Sequence, residues 1–189
     1  MRAAQSRGRC RWPLVVAAAL GPLLLAVSVQ AFEVLRAAAE LRDQVYYLDA
    51  DLEYQLGPEP LAALSNGVPL GLAVEIQVIQ PQRWLPDETV AALRQQFRLK
   101  YHSLTERYVV TNLNSGERRS FTSRIEALDY AGSIRDLPII DRSLLDPALS
   151  YRMRVQARLD LDSLPAPLRF WAYVSTDWRL ASEWLEIPL

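Results

Sequence analysis

Cysteine is all but missing from this sequence. Cys10 is the only one in 189 residues, and it precedes the first apolar run, whereas a lipid-modified cysteine follows such a run. If that segment is removed the chain holds no thiol, which excludes disulfides and thiolate chemistry and fits an oxidising compartment. Histidine is equally scarce, and His102 has neither a second histidine nor a cysteine with which to share a zinc ion. Seven glycines, no two in a suitable frame, exclude the glycine-rich phosphate loops. A basic excess is also absent beyond the head of the chain. Arg2, Arg7, Arg9 and Arg11 precede Trp12, and no acidic residue precedes Glu33; taking those four from 21 basic residues leaves 17 against 22 acidic ones, a net charge of −5. That balance argues against nucleic acid as a partner, since phosphates demand a basic face.

What is present begins with a leader. Between Arg11 and Glu33 there is no charge, and residues 12–29, WPLVVAAALGPLLLAVSV, are almost wholly apolar. An arginine-rich head, an apolar run and the small-residue end Val29-Gln30-Ala31 form the three-part secretory pattern, with cleavage expected after Ala31. The run is also close to the ~20 residues that span a bilayer, so an uncleaved anchor, touching the inner membrane through residues 12–29, is the rival reading. Gly21-Pro22 in its middle weighs toward the cleaved signal, because a lone spanning helix has no neighbour to satisfy the carbonyl that proline frees. Arginines on the amino side place the rest outside the cytoplasm under both readings, as a single periplasmic domain over residues 32–189. Its length suits one core, and a content half hydrophobic and 23% charged suits a packed globular domain rather than a disordered one.

Residues 32–41 read as a strand that turns at Arg42-Asp43-Gln44 into a second, over 45–56, with Tyr46, Leu48, Ala50, Leu52 and Tyr54 on one side. A short helix follows over 61–66, with Leu61 and Leu64 inward and Gly67 as its left-handed stop. Residues 70–79 alternate, placing Leu72, Val74, Ile76 and Val78 in the core and Ala73, Glu75 and Gln77 outside. Helical and extended patterns compete over 87–96. Beyond them Phe97, Leu99 and Tyr101 oppose Arg98, Lys100 and His102, and turns at 104–106 and Asn114-Ser115-Gly116 complete a three-stranded meander. Ser123 and Glu126 form a capping box for a helix with the stripe Ile125, Leu128 and Ala131. Residues 137–140 and Asp146-Pro147 read as ordered loop, and 151–161 alternates strictly, with Asp160 outside beside Arg152, Arg154 and Arg158. One or two helical turns over 168–174 and a closing strand over 182–187 finish the chain. Six or seven short strands with regular turn signals predict a mainly β fold, an antiparallel β-sandwich of Ig or C2-like kind with two or three short helices. A single twisted sheet covered by helices is the alternative.

Asn66-Gly67-Val68-Pro69-Leu70, the run Thr111-Asn112-Leu113-Asn114-Ser115-Gly116-Glu117, Arg135-Asp136-Leu137-Pro138, and Leu164-Pro165-Ala166-Pro167-Leu168 with Asp177-Trp178 carry a resemblance. The chain beyond the leader resembles the proteobacterial domain of unknown function 4390, a family of proline-rich signal-peptide proteins, some encoded beside a nitrogen-regulation sensor kinase and its response regulator. The resemblance implies export and a place in envelope signalling. It supplies no catalytic residue, since the family has none established.

Candidate chemistry is sparse. Asp49, Asp51 and Glu53 share one face of the second strand. A hard cation wants six or more oxygens gathered by a loop, so the row reads as a solvated acidic face paired with arginines of a neighbouring strand, such as Arg152, Arg154 and Arg158. Trp171, Tyr173, Trp178 and Trp184 crowd the carboxyl end, and Trp84 adds a loop tryptophan. Exposed, these five form a sugar, peptide or partner platform; buried, they close the end of the sandwich, which is the favoured reading because large exposed apolar patches are uncommon on monomers. His102 reads as a surface polar residue, and Ser103 beside it points the opposite way. No catalytic, cofactor-binding or metal-binding residue is assigned, and no cofactor is expected. The first functional expectation is therefore a non-enzymatic envelope module that binds a membrane or periplasmic protein, with a two-component sensor kinase as a candidate partner. The second is a carboxylate-based periplasmic hydrolase or carbohydrate-binding protein, although no pattern picks out two carboxylates roughly 5–10 Å apart. The third, a small-ligand carrier, needs a large apolar cavity between the sheets.

Overall fold

In a computed structural model of the chain, residues 32–189 are described. The leader, its cleavage site and the rival anchor lie outside the described residues. Among those residues no helix is long and apolar enough to cross a membrane. The order is β1 (Phe32–Arg42), β2 (Val45–Tyr54), α1 (Pro58–Ser65), β3 (Leu70–Gln80), β4 (Glu88–His102), β5 (Arg107–Asn112), β6 (Arg118–Phe121), α2 (Arg124–Gly132), β7 (Ser133–Asp141), β8 (Arg152–Asp160), α3 (Ala166–Val174) and β9 (Leu185–Pro188). Two antiparallel sheets result, a small one in the order β1-β2-β7 and a large one in the order β6-β5-β4-β3-β8-β9.

The β1–β2 hairpin turns on Asp43 and Gln44, both left-handed at φ 48 and 67, the conformation that lets a two-residue turn follow the strand twist. Alternation then does the sorting. Leu48, Ala50 and Leu52 from the small sheet share one core with Leu72, Val74, Ile76, Phe97, Leu99, Met153, Val155 and Ala157 from the large one, and α2 adds Ala127, Leu128 and Ala131. The undecided stretch 87–96 is extended, because β4 runs for 15 residues beside the whole of β3.

Five local expectations need correction. Residues 137–140 are strand rather than loop: β7 is an edge strand, where a proline is tolerated, and Pro138 pairs with Tyr47. Nine strands, rather than the expected six or seven, are present among the described residues, and β7 is one that the expectation did not include. Ile125 is 66% exposed, because the buried stripe of α2 is Ala127, Leu128 and Ala131, whose centre lies more than a quarter turn away around the axis. In α1 the buried positions are Pro60 and Leu64, with Leu61 half-buried. Ala73 stands on the outer face of the large sheet, opposite Gln96 and Arg158, yet it is fully buried between these longer neighbours. Asp160 is buried as well, held by Arg94 at 3.2 Å and by the Gln96 amide at 3.2 Å.

One end of the molecule gathers the helices. Phe32 pairs with Tyr54, just before α1, and its ring meets the Tyr54 ring edge-on at 4.9 Å. On α1, Glu59 accepts hydrogen bonds from Trp178 Nε1 at 2.8 Å and from Ser175 Oγ at 3.2 Å, which ties α1 to the chain leaving α3. Gly67, left-handed at φ 82, ends α1 at the same end and lies against the Tyr101 carbonyl. The loop 81–87 is at the opposite end, beyond Gln80 and Glu88.

Candidate functional site

The acidic row of β2 is structural. Two residues of β7, Arg135 and Asp136, face the single Asp49 of β2, since Leu48 pairs with Leu137 and Ala50 with Ile134. Asp136 is left-handed at φ 49, so its N–H leaves the ladder, and Asp49 Oδ1 accepts it at 2.7 Å. Asp51 accepts from Arg36 of β1 at 2.7 Å and is bridged by Arg135 of β7. These guanidiniums, Arg135 foremost, hold the Asp51 carboxyl below its ordinary range. Among the described residues Glu53 accepts only from its neighbour Gln55. The arginines that pair with the row therefore come from β1 and β7. The expected partners sit on the other sheet, because β8 never lies beside β2: Arg152 meets Glu186, Arg154 meets Gln77 and Arg158 meets Glu75. Among the described residues no cluster of three metal-ligating side chains occurs.

The aromatic residues are not brought together. Trp84 is 89% exposed in the loop 81–87, at the end opposite α3. Trp178 is buried at 3% exposure and closes the helical end, whereas Trp171 on α3 is 67% exposed. Tyr173 is half open and donates to Asp162 at 2.6 Å, which pushes its phenol up. Trp184 lies on the outer face of the large sheet beneath Arg154, whose guanidinium is 4.8 Å from the ring centre. The expected burial thus holds for Trp178 alone. Trp171 and Tyr173 remain outside because only Ala172 of α3 is buried against the domain.

The larger concavities are open and polar. One of about 420 Å³ lies between β7 and the β4–β5 pair, with Glu117, Arg119, Tyr130 and Arg135 at its walls. A second, of about 390 Å³, includes Tyr46, Arg142 and Tyr151 beside the β1–β2 turn. A carrier's apolar cavity between the sheets is not among them, since aliphatic side chains fill that space.

Charge singles out one surface. On the outer face of the large sheet, antiparallel pairing sets Arg98 opposite Thr111, Lys100 opposite Val109, His102 opposite Arg107 and Thr111 opposite Arg118. Directly opposed residues share a face, so five basic side chains cover three adjacent strands. The neighbouring strands show what neutralised cations look like there, with Arg94 on Asp160, Arg158 on Glu75 and Arg152 on Glu186. Among the described residues Arg98, Lys100, Arg107 and Arg118 have no carboxylate within ion-pair distance. Arg98, Lys100, His102 and Arg118 rim a shallow hollow of about 210 Å³ whose floor is the buried Val109. Planar guanidiniums and an ammonium around an apolar floor suit carboxylates carried on another surface. The alternation over 97–102 exposed half of this site to sequence reading. The other half depends on register, which brings Arg107 and Arg118 alongside.

No curated protein and no solved structure is significantly similar to this chain. The family model for the domain of unknown function (DUF4390) matches residues 29–188, all but one of the described residues together with the last three of the leader. The chain is a member of the DUF4390 family.

Proposed function

We propose that this protein is a non-enzymatic binding module of the bacterial envelope, exported by residues 1–31, that docks an acidic protein partner on the outer face of β4, β5 and β6. One observation carries the reading: four permanent cations lie together without counter-charges on a domain whose own balance is −5. Unneutralised like charges repel one another, and a complementary partner relieves that cost while steering association. The sensory part of a membrane-bound two-component kinase is the partner class that the family resemblance implies. The two sheets around one core support a sandwich of Ig or C2-like type, with the docking face on its larger layer. The leader supports a periplasmic location, either free after cleavage or held at the inner membrane, and a carboxyl-terminal reporter fusion active only outside the cytoplasm is the expected result.

A photo-crosslinking residue placed at Thr111 tests the docking face at native expression. One dominant crosslinked protein is expected from Thr111 and none from Ala38, on the outer edge strand of the small sheet. The reverse pattern, or no adduct from either position, would refute the proposal.

The second reading, a carboxylate-based hydrolase or carbohydrate-binding protein, has one observation behind it. Glu33, Glu183 and Trp184 line a hollow of about 140 Å³. That is below the roughly 300–1,000 Å³ typical of ligand pockets. Loss of a measured glycan-binding or hydrolytic activity in Glu33→Gln and Glu183→Gln would favour this reading.

A further inference from the structure

We infer that the outward face of α3 is a membrane contact, seated in the headgroup region of an anionic phospholipid bilayer. The helix is amphipathic in an unusual sense. Ala172 packs inward, yet Phe170 is 68% exposed, Trp171 67% and Val174 65%, with Tyr173 half open beside them. A contiguous apolar patch with aromatic members is rare on a surface that meets only water, and tryptophan and tyrosine are the side chains that settle at a bilayer's interface. Two cations flank it. Among the described residues Arg169 and Arg179 bond only to backbone carbonyls, those of Asp162 and Tyr173, and so keep their charge for headgroup phosphates.

The position of the chain's entry identifies the occupant. Phe32, where the described residues begin, pairs with Tyr54 at the head of α1, and α1 is tied through Glu59 to Ser175 and Trp178 just after α3. The aromatic face and the point of entry therefore share one end of the molecule. The apolar run ends at Val29, three residues from Phe32, a reach of about 10 Å at most. The turn 103–106 lies at the same end with Leu104 fully exposed, whereas Trp84 and Leu85 project from the other. A bilayer that holds residues 12–29 thus faces α3. The inference rests on the membrane-held form of the export reading above, and it turns a tethered domain into a docked one. It also orients the sandwich, helical end down, with the strands of the cationic face rising from the membrane.

The test uses the full chain with Cys10→Ser, carrying an environment-sensitive dye on a single new cysteine, Val174→Cys or Leu85→Cys, in phosphatidylglycerol-containing vesicles. The Val174→Cys dye is expected to shift to the blue and to be quenched by brominated lipid, while the Leu85→Cys dye stays as in water. Adding Phe170→Ser and Trp171→Ser, both on exposed side chains, is expected to abolish the shift while the chain still floats with the vesicles. A dye that stays as in water on floating vesicles overturns the docking of α3 and leaves the anchor reading standing. Failure to float overturns the anchor reading and this inference with it. A shift that brominated lipid does not quench, and that grows with protein density, assigns the face to a second copy and overturns the bilayer as occupant.

Discussion

Gly71 stands where the strand face is crossed by the turn Leu161–Ser163. A Cβ there would fall 2.2 Å from Ser163 Oγ and 2.9 Å from Ser163 Cβ, so the absence of a side chain is what lets the turn close over β3. Gly71→Ala is expected to cost about 1–3 kcal/mol in urea unfolding, as overpacking usually does. Ser163→Gly removes the two closest atoms and leaves Asp160 Cβ at 3.0 Å, so the double variant should recover part of that loss; equal penalties in the two backgrounds would contradict the collision. Asp51 gives a prediction in pH. Its two arginines lower its folded pKa below the ordinary 3.8, so the clamp's contribution is fully present above that value and is lost as pH falls through the lower folded one. Asp51→Asn should therefore cost about 1 kcal/mol near neutrality, and the gap to the natural protein should narrow below about pH 3.8. A gap that widens in acid would mean that the carboxylate is not the stabilising form.

At the scale of elements, β7 is the most dependent on side chains outside its ladder. It carries a proline, two register shifts and a left-handed aspartate, and Asp49 accepts the N–H that the bulge releases. Asp49→Ala is expected to speed amide exchange across 134–137 at least severalfold while the amides of β3 keep their protection. Equal acceleration in both strands would show that Asp49 acts on the whole core. The same strand marks where sequence reading stops. Strands with strict alternation, such as β3 and β8, are legible because one face must be apolar. The hairpin at Asp43-Gln44 and the cap at Ser123 are legible because their local chemistry decides them. Pro138 reads as loop because proline costs a ladder bond, and only the strand order shows that β7 is an edge where that bond is not needed. Ile125 and Asp160 depart from their own periodicity for a related reason: what covers a residue from another element leaves no mark on it. The pairing of Asp51 with Arg36 and Arg135, 15 and 84 residues away, is likewise a product of topology.

Across the whole molecule the charges are segregated rather than balanced. The outer face of the small sheet spends its carboxylates locally, Asp51 on Arg36 and Arg135, and Asp136 on Arg42. The part of the large sheet made by β3, β8 and β9 does the same with Glu75, Asp160 and Glu186. Arg98, Lys100, Arg107 and Arg118 are left out of this pairing and lie together on one face of β4, β5 and β6. Exposed charges are screened over about 10 Å at 0.1 M salt, so a complex formed through this face should weaken as ionic strength rises. The most direct measurement compares partner recovery by the natural protein and by the charge-reversed variant Lys100→Glu/Arg118→Glu, with matched thermal unfolding as the check on folding. Both substituted side chains are exposed and make no ion pair within the domain, so the fold should persist. The expected result is loss of the partner from the variant alone, reproduced in the natural protein by raising the salt; undiminished recovery by a folded variant would contradict the assignment of this face.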